Sequence, residues 1–289
     1  MNLAGKVAVL GAGLLGASFA RAVKEYGVAD RVCMWSRGES TRAKGRALCG
    51  VFDEVFDTPQ EAVKDADLVI LCTPTEHIPV LAKEIAGSLK RGAVVTDVGS
   101  VKRNICKKCS EIINPTGAVF VGSHPMAGSE KIGLEYSDAS LFKGRPCFVT
   151  PYSEIEAEAA GLLRKIWTDI GMRVYFSTPA EHDAIVARVS HLPHLLAGLL
   201  CINASNFDKD DLKKYAGPGF RDTTRVASGS PAIWDSIIAD NRVEILHALK
   251  SYAANFNEML EAIEQSDFKL IGEMLRKAKD FRDELQKTL

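Results

Sequence analysis

Lys6-Val-Ala-Val-Leu-Gly-Ala-Gly-Leu-Leu-Gly16 decides the fold. A short apolar run ends in a glycine, and two more glycines follow before an apolar helical stretch, Leu14–Tyr26. Gly11 permits a tight turn, Gly13 lets backbone approach a pyrophosphate, and Gly16 allows helix and strand to pack closely. The helix that starts here offers free N–H groups and a positive dipole end to phosphates. Leu14 and Leu15, at that helix start, belong to the expected cofactor contacts with Gly11, Gly13 and Gly16.

Reading outward, short apolar runs alternate with longer amphipathic ones. The expected strands are Lys6–Leu10, Arg31–Trp35, Leu68–Cys72, Val94–Asp97, Val119–Gly122, Cys147–Thr150 and Arg173–Phe176. Helical spacing falls between most of them, at Leu14–Tyr26, Ser40–Leu48, His77–Ala86, Val101–Ile113 and Ile155–Ile170. Strands alternating with helices predict an α/β, doubly wound, Rossmann-like domain with a parallel sheet. After about Ser177 the strand signals stop. Ala180–Asn203 reads as one long helix kinked at Pro193. Arg242–Glu264 and Phe268–Leu285 carry apolar stripes at helical spacing. The division expected is therefore 1–177 for the dinucleotide-binding domain and 178–289 for an all-helical domain. The apolar faces left over in the helical part predict burial against another subunit.

Composition narrows the class. The chain has 289 residues, is 46% hydrophobic and 25% charged, and carries a net charge of −1, the profile expected of a soluble globular protein. The charge balance gives no reason to expect nucleic acid or an anionic membrane as partner. No apolar run approaches bilayer length, and the N-terminus shows no basic region followed by an apolar signal core. The expected location is the cytoplasm. Seven cysteines, mostly in apolar contexts (Cys33, Cys72, Cys147, Cys201), fit reduced thiols better than a disulfide framework. Cys106-Lys-Lys-Cys109 has metal or redox spacing but no second pair, and reads as two ordinary thiols on a helix.

The second strand ends about twenty residues past the glycines, where an acidic residue commonly takes the ribose hydroxyls. Here the sequence is Trp35-Ser36-Arg37, followed by Ser40, Thr41 and Arg42. A guanidinium and hydroxyls suit a 2′-phosphate, so Ser36 and Arg37 predict NADP in preference to NAD, the alternative being that Arg37 and Arg42 are solvated surface charges. Thr73, just past the strand Leu68–Cys72, completes the expected cofactor contacts.

Four further segments carry candidate chemistry. Gly122-Ser-His-Pro-Met-Ala-Gly-Ser-Glu130 places His124 in a turn-rich segment after an apolar run, where an open α/β sheet presents catalytic groups. Pro125 holds His124 extended. A histidine is the best proton acceptor near neutral pH, with a reference pKa of about 6.5; a structural loop histidine is the alternative. Glu130 is placed to orient it or to gate the cleft. In Asp97-Val-Gly-Ser-Val-Lys102, Ser100 fits either a helix N-cap or a hydroxyl that bonds substrate and cofactor. Lys102, in a first helical turn, reads as solvated or close to a phosphate. Ser190-His-Leu-Pro-His194 puts His191 and His194 on one helical face. A metal there would need a third ligand, with only His182 or Asp183 on offer, and no metal is expected. Gly217-Pro-Gly-Phe-Arg-Asp-Thr-Thr-Arg225 carries two arginines, suited to holding a carboxylate or to salt bridges with Asp222.

Taken together, these segments resemble the prephenate/arogenate dehydrogenase (cyclohexadienyl dehydrogenase) family, in order from Lys6 to about Asp240. The resemblance implies a nucleotide-binding domain followed by a helical dimerisation domain, and hence a homodimer. It implies that His124 matches a general base bonded to the ring C4 hydroxyl, and that Ser100 matches a serine positioning that hydroxyl. It further implies that Arg225 binds a substrate carboxylate and that His194 lines the substrate pocket. The implied reaction is oxidative decarboxylation of prephenate or L-arogenate, in which hydride, proton and CO₂ loss create an aromatic ring. The product is 4-hydroxyphenylpyruvate or tyrosine. A second reading is another two-domain NADP-dependent hydroxyacid dehydrogenase or imine reductase. A third is an NADP-sensing protein without chemistry.

Overall fold

The computed structural model describes residues 3–48, 50–128, 131 and 133–288. The chain divides into two compact units, Met1–Arg242 and Val243–Leu289.

In the first unit, β1 (Ala4–Leu10) leads through the glycine turn into α1 (Leu14–Glu25), then β2 (Ala29–Trp35), α2 (Glu39–Ala47) and a short β3 (Glu54–Val55). There follow α3 (Pro59–Val63), β4 (Leu68–Leu71), α4 (Ile78–Ile85), β5 (Val94–Asp97), α5 (Arg103–Ile113) and β6 (Val119–Phe120). The six strands form one parallel sheet in the order β3-β2-β1-β4-β5-β6. All four residues of β4 and of β5 are buried, as expected of parallel strands covered on both faces. One apolar layer gathers Val7, Val9, Phe19, Leu68 and Ile70 with Trp167. The other gathers Ala8, Leu10, Val69 and Leu71 with Ile78, Ile85 and Ile105. Alternate residues of each strand thus serve opposite layers, and the doubly wound arrangement follows.

The expected strand Val119–Gly122 is broken. Val121 N still bonds Val95 O at 2.9 Å, but the chain then leaves the sheet and starts β7 (Gly122–Pro125). β7 pairs antiparallel with β8 (Pro146–Thr150). After α6 (Ala157–Asp169), β9 (Arg173–Phe176) pairs parallel with β8. The strands expected at Cys147–Thr150 and Arg173–Phe176 therefore belong to a separate three-stranded sheet, β7-β8-β9. A side chain at Gly122 would place Cβ 2.5 Å from Cys106 Sγ and 2.6 Å from Thr150 Oγ1, so only glycine allows this crossing. Among the described residues between β7 and β8 only short 3₁₀ turns form, at Leu134–Tyr136 and Ala139–Phe142, and no crossover helix of the kind that joins parallel neighbours.

From Pro179 the unit is helical: α7 (Pro179–Val186), a π-helical segment Ala187–His191, α8 (Leu192–Ala204), α9 (Lys209–Tyr215), α10 (Pro218–Thr224) and α11 (Pro231–Asp240). The long helix expected around Pro193 is continuous but carries a π-turn. Pro193 has no N–H to give the preceding turn, and the widened ladder absorbs the loss. The whole run Pro179–Ala204 has 26 residues and a mean hydropathy of 1.6 over its most apolar part, long and apolar enough by composition to cross a bilayer. This corrects the expectation that no run reaches that length: the apolar segments are interrupted in sequence by Arg188, His191 and His194, but helix geometry joins them.

The second unit contains most of α12 (Arg242–Glu264) and all of α13 (Phe268–Thr288), joined through Ser266 at φ 54°. Within it, Tyr252 and Phe256 stack at 6.3 Å. Large apolar side chains, among them Phe256, Leu260, Phe268, Leu275 and Phe281, stay exposed.

Candidate active site

The turn after β1 is built as the glycine spacing predicts. Gly11 has φ +97°, and a Cβ there would lie 2.9 Å from the Cys72 backbone. A Cβ on Gly16 would meet Gly11 O at 2.5 Å and Val9 Cγ1 at 3.1 Å, whereas Gly13 faces open space. The turn is fixed from the second strand: Gly11 N donates to Trp35 O at 2.8 Å, and Ala12 N donates to Ser36 Oγ at 2.9 Å.

Beside the turn lies a cleft of about 500 Å³, bordered by Gly11, Gly13, Ser36, Arg37, Thr41 and Thr73, with Lys44 and Glu135 at its rim. Ser36 is buried. Thr73 Oγ1 is buried without a hydrogen-bond partner among the described residues. A cradle free of side chains at Gly13, a helix N-terminus and an orphaned hydroxyl fit a dinucleotide. Leu14 and Leu15 do not border the cleft. They are half-buried at the start of α1, Leu15 against the core, so their contribution there is confined to backbone.

The two arginines expected at the tip of β2 differ. Arg37 is exposed, with no ion pair among the described residues. Arg42 is committed to structure: Nη1 donates to Ser36 O at 2.8 Å and Arg37 O at 3.1 Å, Nη2 pairs with Glu39, and Nε lies 3.4 Å from Asp57. Glu39 also pairs with Arg46 at 3.2 Å, so its charge is balanced by two guanidinium groups. Lys44 pairs with Glu135 at 3.0 Å.

A second cavity, about 210 Å³, is bordered by Ser100, His124, Met126, Ser190, His191 and Trp234. His124 is not in a loop, as the turn-rich sequence predicts, but in β7 opposite Phe148. It is 8% exposed. Its Nδ1 lies 2.8 Å from His182 Nε2, and His182 Nδ1 lies 2.8 Å from Asp183 Oδ1. Burial, then the neighbouring His182 and Lys102, hold His124 well below the usual histidine range. Burial also lowers His182, against the opposing effect of its hydrogen bond to Asp183. Burial pushes the Asp183 carboxyl up, but His182 and the backbone N–H groups of Arg103 and Lys102 outweigh it and leave it low.

Ser100 is not the N-cap of α5. That place is taken from α7: Asp183 Oδ1 accepts Lys102 N at 2.7 Å, and Oδ2 accepts Arg103 N at 2.9 Å. Ser100 is half-buried and its hydroxyl makes no hydrogen bond among the described residues. Lys102 is neither solvated nor at a phosphate. It is fully buried, with Nζ on the carboxylate of the equally buried Asp97. Asp97 also accepts Gly99 N at 2.8 Å and Ser123 N at 3.2 Å, tying the end of β5 to β7.

His191 and His194 separate in role. His191 is buried at the cavity, its Nδ1 3.2 Å from the Asn241 amide, and burial pushes its pKa down to about 4. His194 stacks on Trp234 with ring centroids 3.6 Å apart and does not border the cavity. Arg225 lies exposed in the turn Arg225–Ser228, also outside the cavity lining. Asp222 pairs with neither Arg221 nor Arg225 among the described residues; Arg221 Nε donates to Ala216 O at 3.1 Å. Glu130, expected to orient His124, lies outside the described residues. Sequence reasoning missed His182 and Asp183 as neighbours of His124, and Ser190 and Trp234 at the cavity. Ser190 lies within the segment Ser190-His-Leu-Pro-His194, whereas Trp234 carries no local signal. Cys106 and Cys109 are buried free thiols, and burial pushes Cys106 up to about 12.

Comparison with known proteins agrees with this layout. Residues 19–176 match the nucleotide-binding domain of prephenate dehydrogenase, and residues 178–277 its dimerization domain. Cyclohexadienyl dehydrogenase of Zymomonas mobilis is 34% identical over 264 residues, 90% of this chain and 89% of that protein. The structure of prephenate dehydrogenase from A. aeolicus in complex with hydroxyphenyl propionate and NAD+ superimposes with a TM-score of 0.89 at 30% identity, covering 97% of this chain and 98% of that one. Synechocystis arogenate dehydrogenase gives 0.84 at 29% identity, covering 96% and 99%.

Proposed function

The chain belongs to the prephenate dehydrogenase family, and on that premise we propose that it oxidatively decarboxylates prephenate with NADP as preferred acceptor. L-Arogenate is the second substrate in this reading. The observation that carries it is the grouping of His124 and Ser100 at one small cavity, with an imidazole kept neutral by burial.

A nicotinamide held there would supply the hydride acceptor. Gly11, Gly13 and Gly16 with the start of α1, including the Leu14 and Leu15 backbone, would hold its pyrophosphate. Thr73 and Ser36 would supply hydroxyls, and Arg37 the guanidinium for a 2′-phosphate. Glu39 does not oppose that phosphate, because Arg42 and Arg46 already balance it.

His124 is the base. As the C4–H bond breaks to hydride, His124 takes the proton of the C4 hydroxyl, leaving a carbonyl. As the C1–CO₂ bond then breaks, its electrons complete the aromatic ring and the phenolate oxygen takes the proton back. An imidazole whose pKa burial has lowered gives a proton up readily, which suits the return step. Ser100 holds the hydroxyl; His194 is assigned to the pocket wall through its stack on Trp234, and Arg225, outside the cavity lining, to a substrate carboxylate. No carboxylate borders the cavity among the described residues, which favours the keto side chain of prephenate over the ammonium of arogenate. Aromatisation supplies the driving force, so orientation and charge placement are what the protein contributes.

The same reading takes residues 1–177 as the cofactor domain and residues 178–289 as the helical substrate and dimerisation domain of a cytoplasmic homodimer. Exposed Leu199, Leu200 and Ile202 on α8 are the kind of face a second copy covers. The test is turnover of prephenate and L-arogenate against NADP and NAD, read from reduced-nicotinamide absorbance. Turnover with NAD alone removes the Arg37 argument and keeps the reaction. No turnover with either acid removes the proposal.

A further inference from the structure

The hydrogen-bond chain behind His124 determines which of its nitrogens carries the proton. Asp183 can only accept: its two oxygens already take Lys102 N at 2.7 Å and Arg103 N at 2.9 Å, and its carboxyl is held ionised by these bonds. The 2.8 Å contact to His182 Nδ1 is therefore donated by His182. A neutral His182 protonated at Nδ1 has a bare Nε2. The 2.8 Å contact between that nitrogen and His124 Nδ1 is then donated by His124. His124 Nε2 is left with its lone pair, on a ring that borders the cavity with Ser100.

We propose that His182 and Asp183 are positioning residues that fix His124 in the Nδ1–H tautomer, with Nε2 free to accept, and that share the charge His124 acquires. This rests on the reading of His124 as the base. When Nε2 gains the substrate proton, the Nδ1 proton lies along the hydrogen bond to His182 Nε2. A shift along that bond leaves a neutral His124 and an imidazolium at His182 against the Asp183 carboxylate. The reverse shift restores His124 for the return of the proton. The bonds broken and formed are N–H bonds alone, and no further reactant is needed. Neither side chain borders the cavity, so neither touches substrate. The logic is that of a carboxylate selecting an imidazole tautomer from behind.

A purely structural role for the chain is separable, because Asp183 caps α5 and His182 does not. The variants are therefore made at His182. Gln at this position can accept the His124 Nδ1 proton through its amide oxygen; Leu cannot. Long-range ¹H–¹⁵N spectra of histidine-labelled protein, with His124 assigned by its loss in His124→Asn, read the tautomer directly. The expected result is a protonated Nδ1 and a bare Nε2 in the native chain and in His182→Gln, with a shift toward Nε2–H in His182→Leu. In turnover, His182→Leu is expected to lose at least about tenfold in kcat, with the dissociation constant for NADPH within about twofold, and His182→Gln to recover only part of it, because an amide fixes the tautomer but cannot take up the proton; full recovery in His182→Gln removes the charge-sharing part and keeps the positioning. A native His124 protonated at Nε2, or a His182→Leu enzyme within about threefold of native kcat, overturns the proposal. If His124→Asn keeps full turnover, the base assignment fails instead, and the spectra still decide the tautomer.

Discussion

His194 lies flat on Trp234, ring centroids 3.6 Å apart and planes 15° from parallel. The stack joins α8 to α11, and Trp234 in turn meets the edge of His191 at 5.9 Å. His194 thus reaches the cavity through Trp234 rather than by bordering it. Gly229 guards the arrangement: a Cβ there would sit 2.9 Å from both His194 Cε1 and Trp234 Nε1. An aromatic stack contributes about 0.5–1.5 kcal/mol. Gly229→Ala and His194→Ala are therefore expected to raise the KM for prephenate roughly two- to tenfold with little change in kcat. His194→Phe, which keeps the stack, separates packing from hydrogen bonding: a KM near the native value assigns the effect to packing.

His124→Asn is expected to lower kcat by about 10²–10⁴ while the protein still binds NADPH. Steady-state rates and a fluorescence titration of NADPH check the two halves separately. Equal loss of binding and rate would point to a damaged fold instead of a missing base.

Arg37→Ser tests the cofactor preference. Hydrogen bonds to a charged group contribute about 1.5–3 kcal/mol, so the NADPH dissociation constant is expected to rise roughly ten- to a hundredfold. Binding of NADH should stay within about twofold, because NADH carries no 2′-phosphate. Equal weakening of both cofactors would show that Arg37 does not read that group.

Lys102→Met leaves Asp97 charged and buried with its cation removed. Breaking a buried pair in this way costs about 3–5 kcal/mol. Urea unfolding is expected to show that loss, and the double variant Asp97→Asn/Lys102→Met to recover part of it. A loss below about 1 kcal/mol would mean that Asp97 finds another partner or takes up a proton.

Stability should fall in mild acid. His191 is buried and its pKa is pushed down to about 4, against about 6.5 in an unfolded chain. A depressed folded-state pKa means that the unfolded chain binds the proton first. The stabilisation is complete above about pH 6.5 and is lost as pH falls from there toward about 4. For this one group the loss reaches roughly 3 kcal/mol, and His124 and His182, also lowered by burial, act in the same direction. Urea unfolding at a series of pH values should show a shallower decline in His191→Gln than in the native chain.

The sequence by itself determined the glycine turn, most helices of the sheet domain and the change to an all-helical second half. It also marked His124, Ser100, Ser36 and Arg37 as candidates. These are local matters: turn chemistry, periodicity and caps act over a few residues, and the chain carries them in order. The tertiary structure alone decided what depends on the path between distant segments. The end of the expected strand Val119–Gly122 leaves its sheet because Gly122 crosses against Cys106 and Thr150. Lys102, which reads as a solvated lysine at a helix start, is buried because Asp97 lies beneath it and Asp183 takes the α5 cap from 81 residues away. The partner of His124 comes from 58 residues along the chain. No local pattern encodes such pairings: they follow from burial, which forces each polar group taken out of water to find a partner wherever the fold brings one.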